Sequence, residues 1–119
     1  MSNVRRIKRS MKLIAITTTS DDKSVLESIA KELLKNQLAA CVQISGPIDS
    51  WYRWEGEVKN STEWQCLIKT SEQLFRQVRN TITNLHNYEL PQVVSFDIAG
   101  GSKKYLLWLT HNLTNPPTD

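Results

Sequence analysis

The 119-residue chain has little of several things that commit a protein to a class. No apolar run approaches the roughly twenty residues needed to cross a bilayer. Leu13 to Ile16, for example, is stopped at once by Thr17, Thr18, Thr19, Ser20 and Asp21. No membrane partner is therefore expected. A secretory signal needs a longer apolar segment and a small-residue cleavage site, and neither is present. Cysteine is scarce, with Cys41 and Cys66 each inside an apolar alternating stretch. Without a secretory signal, the expected location is cytoplasmic, with both thiols reduced. No Cys-x-x-Cys, His-Glu-x-x-His or ligand pair at zinc spacing occurs, which argues against a permanently bound structural metal. Gly100-Gly101 lacks the further glycine and the lysine of a phosphate loop. The serines and threonines have no evident base partner, so no enzyme activity is expected.

Acid is absent from the first ten residues, where Arg5, Arg6, Lys8 and Arg9 cluster. The formal net charge is +3, but without those four residues eleven basic side chains face twelve acidic ones. Residues 1–10 are expected to be a flexible basic leader, with Met11 a plausible alternative start, 11–113 the folded domain and 114–119 a tail. A hydrophobic fraction of 39% and a charged fraction of 23% suit one domain with a core of its own.

Lys12 to Thr19 has the β-branched character of a buried strand. Ser20-Asp21-Asp22 supplies capping oxygens for a helix. Val25, Leu26, Ile29, Ala30, Leu33 and Leu34 then form a helical stripe, which Asn36 is expected to end in a left-handed conformation. Ala40, Val42 and Ile44 alternate as a second strand, and this strand–helix–strand spacing predicts a right-handed crossover with parallel neighbours. The stretch from Leu38 to Glu57 is about twenty residues of extended chain, against a usual five or six. Gly46-Pro47 marks a bulge or bend within it. Lys59-Asn60-Ser61-Thr62 is the expected polar turn, before a strand over Glu63–Thr70 that pairs as a hairpin. Thr70-Ser71-Glu72-Gln73 fits a capping box. A second helix carries Leu74, Phe75, Val78, Ile82 and Leu85, and Val94, Phe96 and Ile98 alternate as a last strand. A short C-terminal helix with Tyr105, Trp108 and Leu109 follows Gly100-Gly101-Ser102. The order β-α-β-β-α-β predicts an α+β, ferredoxin-like fold with a long central hairpin and both helices on one sheet face. The other face must be covered by something.

His86, Tyr88 and Glu89 stand within four residues of one another, a grouping suited to metal binding or proton transfer. A histidine at a helix C-terminus, with a solvated glutamate beside a turn-fixing Pro91, is the plainer account. Cys41 is a soft ligand type for copper, or simply a small hydrophobe. Trp51, Tyr52 and Trp54 around Arg53 have the composition of a base-stacking surface. The near-neutral domain opposes a nucleic-acid partner, because phosphate contacts need basic surface. Trp, Tyr and Arg are also enriched at subunit interfaces, the use favoured here.

Five ordered pieces point to a family. Ala39-Ala40-Cys41-Val42, Ser50-Trp51-Tyr52-Arg53-Trp54-Glu55-Gly56-Glu57, Ile68-Lys69-Thr70, His86-Asn87-Tyr88-Glu89-Leu90-Pro91 and the Tyr105-x-x-Trp108 pair together resemble the CutA family over about residues 12–112. The resemblance implies a divalent-cation tolerance protein associated with copper, a homotrimer of ferredoxin-like subunits with an architecture similar to the PII signal transducers. It implies functional positions at Cys41, Lys69, His86, Tyr88 and Glu89, near clefts between subunits. Cys41, His86 and Glu89 are the expected metal contacts, for copper(I/II) or another divalent cation. Lys69, Tyr88 and Glu89 are the expected cleft residues for a small anionic metabolite, should the chain be a PII-like sensor instead; a non-catalytic assembly module without its own ligand is the other alternative. Trp51, Tyr52, Arg53 and Trp54 are the expected trimer contacts. In this chain Asn87 replaces the proline of the family's usual His-Pro-Tyr-Glu loop.

Overall fold

The computed structural model describes residues 11–115. The expected leader and all but the start of the expected tail lie outside the described residues. Four strands and three helices follow in the order β1 (Leu13–Ser20), α1 (Lys23–Lys35), β2 (Cys41–Trp54), β3 (Glu57–Ser71), α2 (Phe75–Leu85), β4 (Val94–Asp97) and α3 (Lys103–His111), with a 3₁₀ turn over Glu72–Leu74 before α2. The sheet order is β2-β3-β1-β4. β3 and β4 flank β1, both antiparallel to it, so β1 and β2 are separated by β3 rather than adjacent. The expected parallel neighbours are thus corrected: α1 crosses over, and β3 fills the gap it leaves. Among the described residues no helix is long and apolar enough to cross a membrane.

One sheet face is sealed by α1 and α2. Ile14 and Ile16 from β1 and Cys66 and Ile68 from β3 meet Leu26, Ile29 and Leu33 of α1 and Val78 and Ile82 of α2, all 2% exposed or less. Each such aliphatic side chain gains about 1.5–3 kcal/mol from burial. Register places the remaining side chains on the opposite face. Ala15 stands opposite Lys69 and Phe96, Thr17 opposite Leu67 and Val94, and Lys69 opposite Cys41. There Val94 remains 44% and Phe96 56% exposed, so this face is open in the single chain.

Local signals in the sequence met mixed outcomes. Asp22 caps α1 as expected, its side chain accepting from the Ser24 N–H at 3.0 Å. The helix ends one residue later than expected in handedness: Gln37, with φ of 55°, takes the left-handed conformation, and Asn36 does not. The Thr70 capping box does not form, because the Thr70 hydroxyl donates instead to Leu38 O at 2.7 Å, and no side chain caps the turn at Ser71. The expected turn at residues 59–62 is strand. The chain reverses earlier, at Glu55-Gly56, both with positive φ, between Trp54 and its partner Glu57. Two such residues match the twist of the flanking strands. Thr114, placed in the tail by sequence, still donates to Gln37 O at 2.8 Å.

β3 meets β1 only from Trp64 to Ser71, so Glu57–Glu63 and the facing part of β2 form a two-stranded arm beyond the sheet. The arm helps draw the molecule out to 56 × 29 × 25 Å. Gly46-Pro47 inserts one extra residue into β2: Ser45 faces Gln65, yet Ile48 already faces Glu63. Gly46 is required there, since its φ is 142° and a Cβ would stand 2.7 Å from Trp64 Cδ1. Because side chains alternate with period two, one extra residue exchanges the faces of everything beyond it. Cys41 and Gln43 lie on the open face before the bulge. After it, Tyr52 and Trp54 lie there, opposite Lys59 and Glu57, while Trp51 turns to the other side.

Candidate functional site

The loop after α2 folds against the end of β1, and polar bonds hold His86, Asn87, Tyr88 and Gln92 in place. The Tyr88 N–H donates to His86 Nδ1 at 3.0 Å, and His86 Nε2 lies 2.8 Å from Thr19 O. With Nδ1 accepting, the ring proton sits on Nε2 and is donated to that carbonyl. Asn87 bridges two neighbours. Its Oδ1 accepts from the Ser20 hydroxyl at 2.7 Å, and its Nδ2 donates to Asp21 Oδ1 at 2.9 Å. Ser20 is fully buried, and its oxygen also accepts from the Asp22 N–H at 3.0 Å. The Tyr88 hydroxyl donates to Glu63 Oε2 at 2.6 Å and accepts from the Asp21 N–H at 2.8 Å. Burial, reinforced by the hydrogen bond to Glu63, pushes the Tyr88 phenol well above its ordinary value. Gln92 adds a last tie, donating from Nε2 to Thr17 Oγ1 at 3.1 Å.

Between this loop and the arm lies a cleft of about 590 Å³. Tyr52, Arg53 and Trp54 form one wall, Tyr88 to Gln92 the other, with Thr19 and Glu63 also lining it. Tyr52 and Trp54 reach it because the bulge put them on the same face as Glu63. Three of the four residues expected at a trimer interface therefore meet two of the expected cleft residues within one chain. The signal for this in the sequence was Gly46-Pro47, whose parity effect was missed, and Glu63 was missed altogether.

Other expected partners are kept apart. Cys41 belongs to the row through Lys69 and Ala15, whereas His86 sits against Thr19, four residues along β1. That is about 13 Å along the strands, far beyond a shared metal ion. Both His86 nitrogens are already engaged. Among the described residues no group of three or more His, Cys, Asp or Glu side chains gathers to hold a metal. Cys41, His86 and Glu89 thus do not fit a chelate site within one chain. Lys69 is likewise remote from Tyr88 and Glu89. Its Nζ lies 5.1 Å from the Tyr105 ring centroid and donates to that hydroxyl at 3.2 Å, and Tyr105 stacks on Trp108.

Comparison with known proteins places this geometry in a group. Residues 14–112 match the family model described as CutA1 divalent ion tolerance protein. The divalent-cation tolerance protein CutA of Thermus thermophilus is 39% identical over 100 residues, covering 84% of this chain and 95% of that protein. The chloroplastic protein CutA of Arabidopsis thaliana is 34% identical over 102 residues, which are 86% of this chain and 56% of its own longer length. The solved Thermus structure superposes with a TM-score of 0.83 over 86% of this chain and 99% of its own, at 36% identity. A structure from Archaeoglobus fulgidus, described as periplasmic, gives 0.80 at 35% identity over 84% and 97% of the two chains. The matched length, the fold and the ordered motifs agree, and the chain belongs to the CutA family of divalent-cation tolerance proteins.

Proposed function

We propose that this chain works as a homotrimer with a PII-like arrangement, taking part in the response to divalent metal ions through weak and transient contact with copper, and without catalytic activity. The observation that carries the assembly is the open sheet face with its exposed Val94 and Phe96, together with an arm that a single chain leaves largely bare. Isolated two-stranded ribbons are marginal in water, so a neighbouring copy is the natural cover. Trp51, 71% exposed and turned away from the cleft, and Val58 at 63% are the arm's main contribution to that contact. Phe96→Asp should leave the circular dichroism of the fold unchanged and lower the mass by light scattering from trimer to monomer. A trimeric Phe96→Asp, or a monomeric parent at micromolar concentration, removes the assembly from the proposal.

Cys41 is the proposed copper contact. Its thiol is soft, half-buried and on the edge strand β2, across the sheet from Phe96. Calorimetric titration with copper should show affinity weakened in Cys41→Ser and unchanged in His86→Ala. Unchanged affinity in Cys41→Ser would exclude that thiol. Free Cys41 and Cys66 support a cytoplasmic setting. The sensor alternative, with an anionic metabolite held by Lys69, Tyr88 and Glu89, has no support from the single chain, which separates Lys69 from the other two. A thermal-shift screen of nucleotides, carboxylates and metals discriminates it: stabilisation by nucleotide alone would favour the sensor.

A further inference from the structure

We propose that the outer face of α2, together with the basic leader that joins the fold beside it, binds the phosphate backbone of double-stranded nucleic acid without reading its sequence. Val78 and Ile82 bury one side of the helix, and Arg76, Arg79, Asn80, Thr83 and Asn84 are exposed on the other. Their spacing of three, four, seven and eight residues sets them in one stripe. α2 packs on the sheet face that is sealed within the chain, whereas the proposed trimer covers the opposite face and the arm. The stripe therefore points to solvent in the single chain and in the assembly alike.

Charge argues first. α2 contains no carboxylate, and Glu72 just before it pairs with Lys12 at 3.7 Å. The other ion pairs among the described residues are Lys12 with Asp97 and Lys59 with Glu57, so Arg76 and Arg79 meet no acid. Arg79 donates to the Asn80 side chain at 3.3 Å, a neutral partner. Near-neutrality belongs to the domain as a whole and not to this surface, since Glu55, Glu57 and Glu63 lie in the arm and Glu89 in the loop. The Glu72 N–H donates to Lys12 O at 2.8 Å. Residues 1–10, with Arg5, Arg6, Lys8 and Arg9, thus join the fold about one helical turn before Arg76.

Side-chain types decide the partner. Guanidinium, amide and hydroxyl groups are those that contact phosphate and sugar oxygens. A protein partner needs aromatic or aliphatic anchors, and a lipid surface needs apolar side chains to insert; the stripe has neither. Single strands need rings on which bases stack, again absent from the stripe, which leaves the duplex backbone. A basic N-terminal arm is a recurring second contact to nucleic acid.

The test uses the full chain and a fluorescein-labelled DNA duplex of about twenty base pairs. Binding is followed by anisotropy between about 50 and 200 mM salt. It should fall steeply with salt and stay unchanged when the duplex sequence is scrambled. Arg76→Gln with Arg79→Gln keeps good helix formers at exposed positions. That double variant should bind about tenfold more weakly and lower the salt slope by about two. Lys103→Gln with Lys104→Gln removes the same charge from α3 and should weaken binding far less. Replacing Arg5, Arg6, Lys8 and Arg9 by Gln should lower the slope by about four. Light scattering should give every variant the mass of the parent, so lost binding is not lost assembly. No binding at about 50 mM salt, native affinity in the α2 variant, equal weakening in the α3 variant, or an unchanged slope in the leader variant would each overturn the proposal. So would tighter binding of polyglutamate or of phosphatidylglycerol vesicles than of the duplex.

Discussion

The two cysteines sit on opposite faces of one sheet, and the contrast between them describes the whole molecule. Cys66 is 0% exposed among the aliphatic side chains of β1, β3, α1 and α2, and burial pushes its thiol up to about 12. Cys41 is half-buried on the open face, opposite Lys69 on the neighbouring strand. One face is closed by apolar packing within the chain. The other is closed at its Thr19 end by hydrogen bonds from the loop and is met at Lys69 by Tyr105 of α3. Apolar burial is therefore concentrated on the first face, whereas the second leaves Val94 and Phe96 exposed in the single chain.

The largest test of this contrast is Ile16→Ala on the closed face. A fully buried isoleucine leaves a cavity that rigid helices cannot fill, so urea unfolding should show a loss of about 2–5 kcal/mol. Ala15, the next residue, faces the other way, and Ala15→Ser should cost far less. Near-equal losses would break the distinction between faces. A smaller effect is expected from Asn87→Ala. The mutation deprives the buried Ser20 hydroxyl of its acceptor and should cost about 1–2 kcal/mol in the same assay. No loss would show that the polar closure at the Thr19 end is ornamental to stability.

Tyr88 gives a pH signature. Its folded pKa is raised, so the neutral phenol is favoured by folding. The resulting stabilisation is fully present below the ordinary tyrosine pKa of about 10 and is lost as pH rises from there through the folded value. Alkaline titration followed by stability should therefore decline less steeply in Tyr88→Phe than in the parent. The gentlest probe is thiol labelling at mildly alkaline pH, where Cys41 should react in the native protein and Cys66 only after unfolding. Simultaneous labelling would mean that the closed face opens readily.

Much of the fold was legible in residue order. The stripe from Val25 to Leu34 and the alternation of Trp64, Cys66 and Ile68 reported burial directly, because helix and strand periods are local properties. Gly46-Pro47 announced an irregularity for an equally local reason. Signals that depended on competing partners were less dependable. Thr70 had the spacing of a capping box, but its hydroxyl donates to Leu38 O instead. Lys59 to Thr62 were polar enough for a turn, yet the positive φ angles at Glu55 and Gly56 set the hairpin instead. At the candidate site, His86, Tyr88 and Glu89 stood out by type, but nothing in the order of residues placed Glu63 under Tyr88.

Residue order alone carries the element order, the amphipathic faces, the near-neutral domain and the family, since each rests on composition, period or ordered motifs. Tertiary structure alone decided which side chains meet. One inserted residue at the bulge turned Tyr52 and Trp54, rather than Trp51, toward Glu63. The register of β1 set Cys41 and His86 four residues apart. Both outcomes follow from strand pairing, in which a shift of one residue exchanges faces and a shift of four moves a side chain about 13 Å.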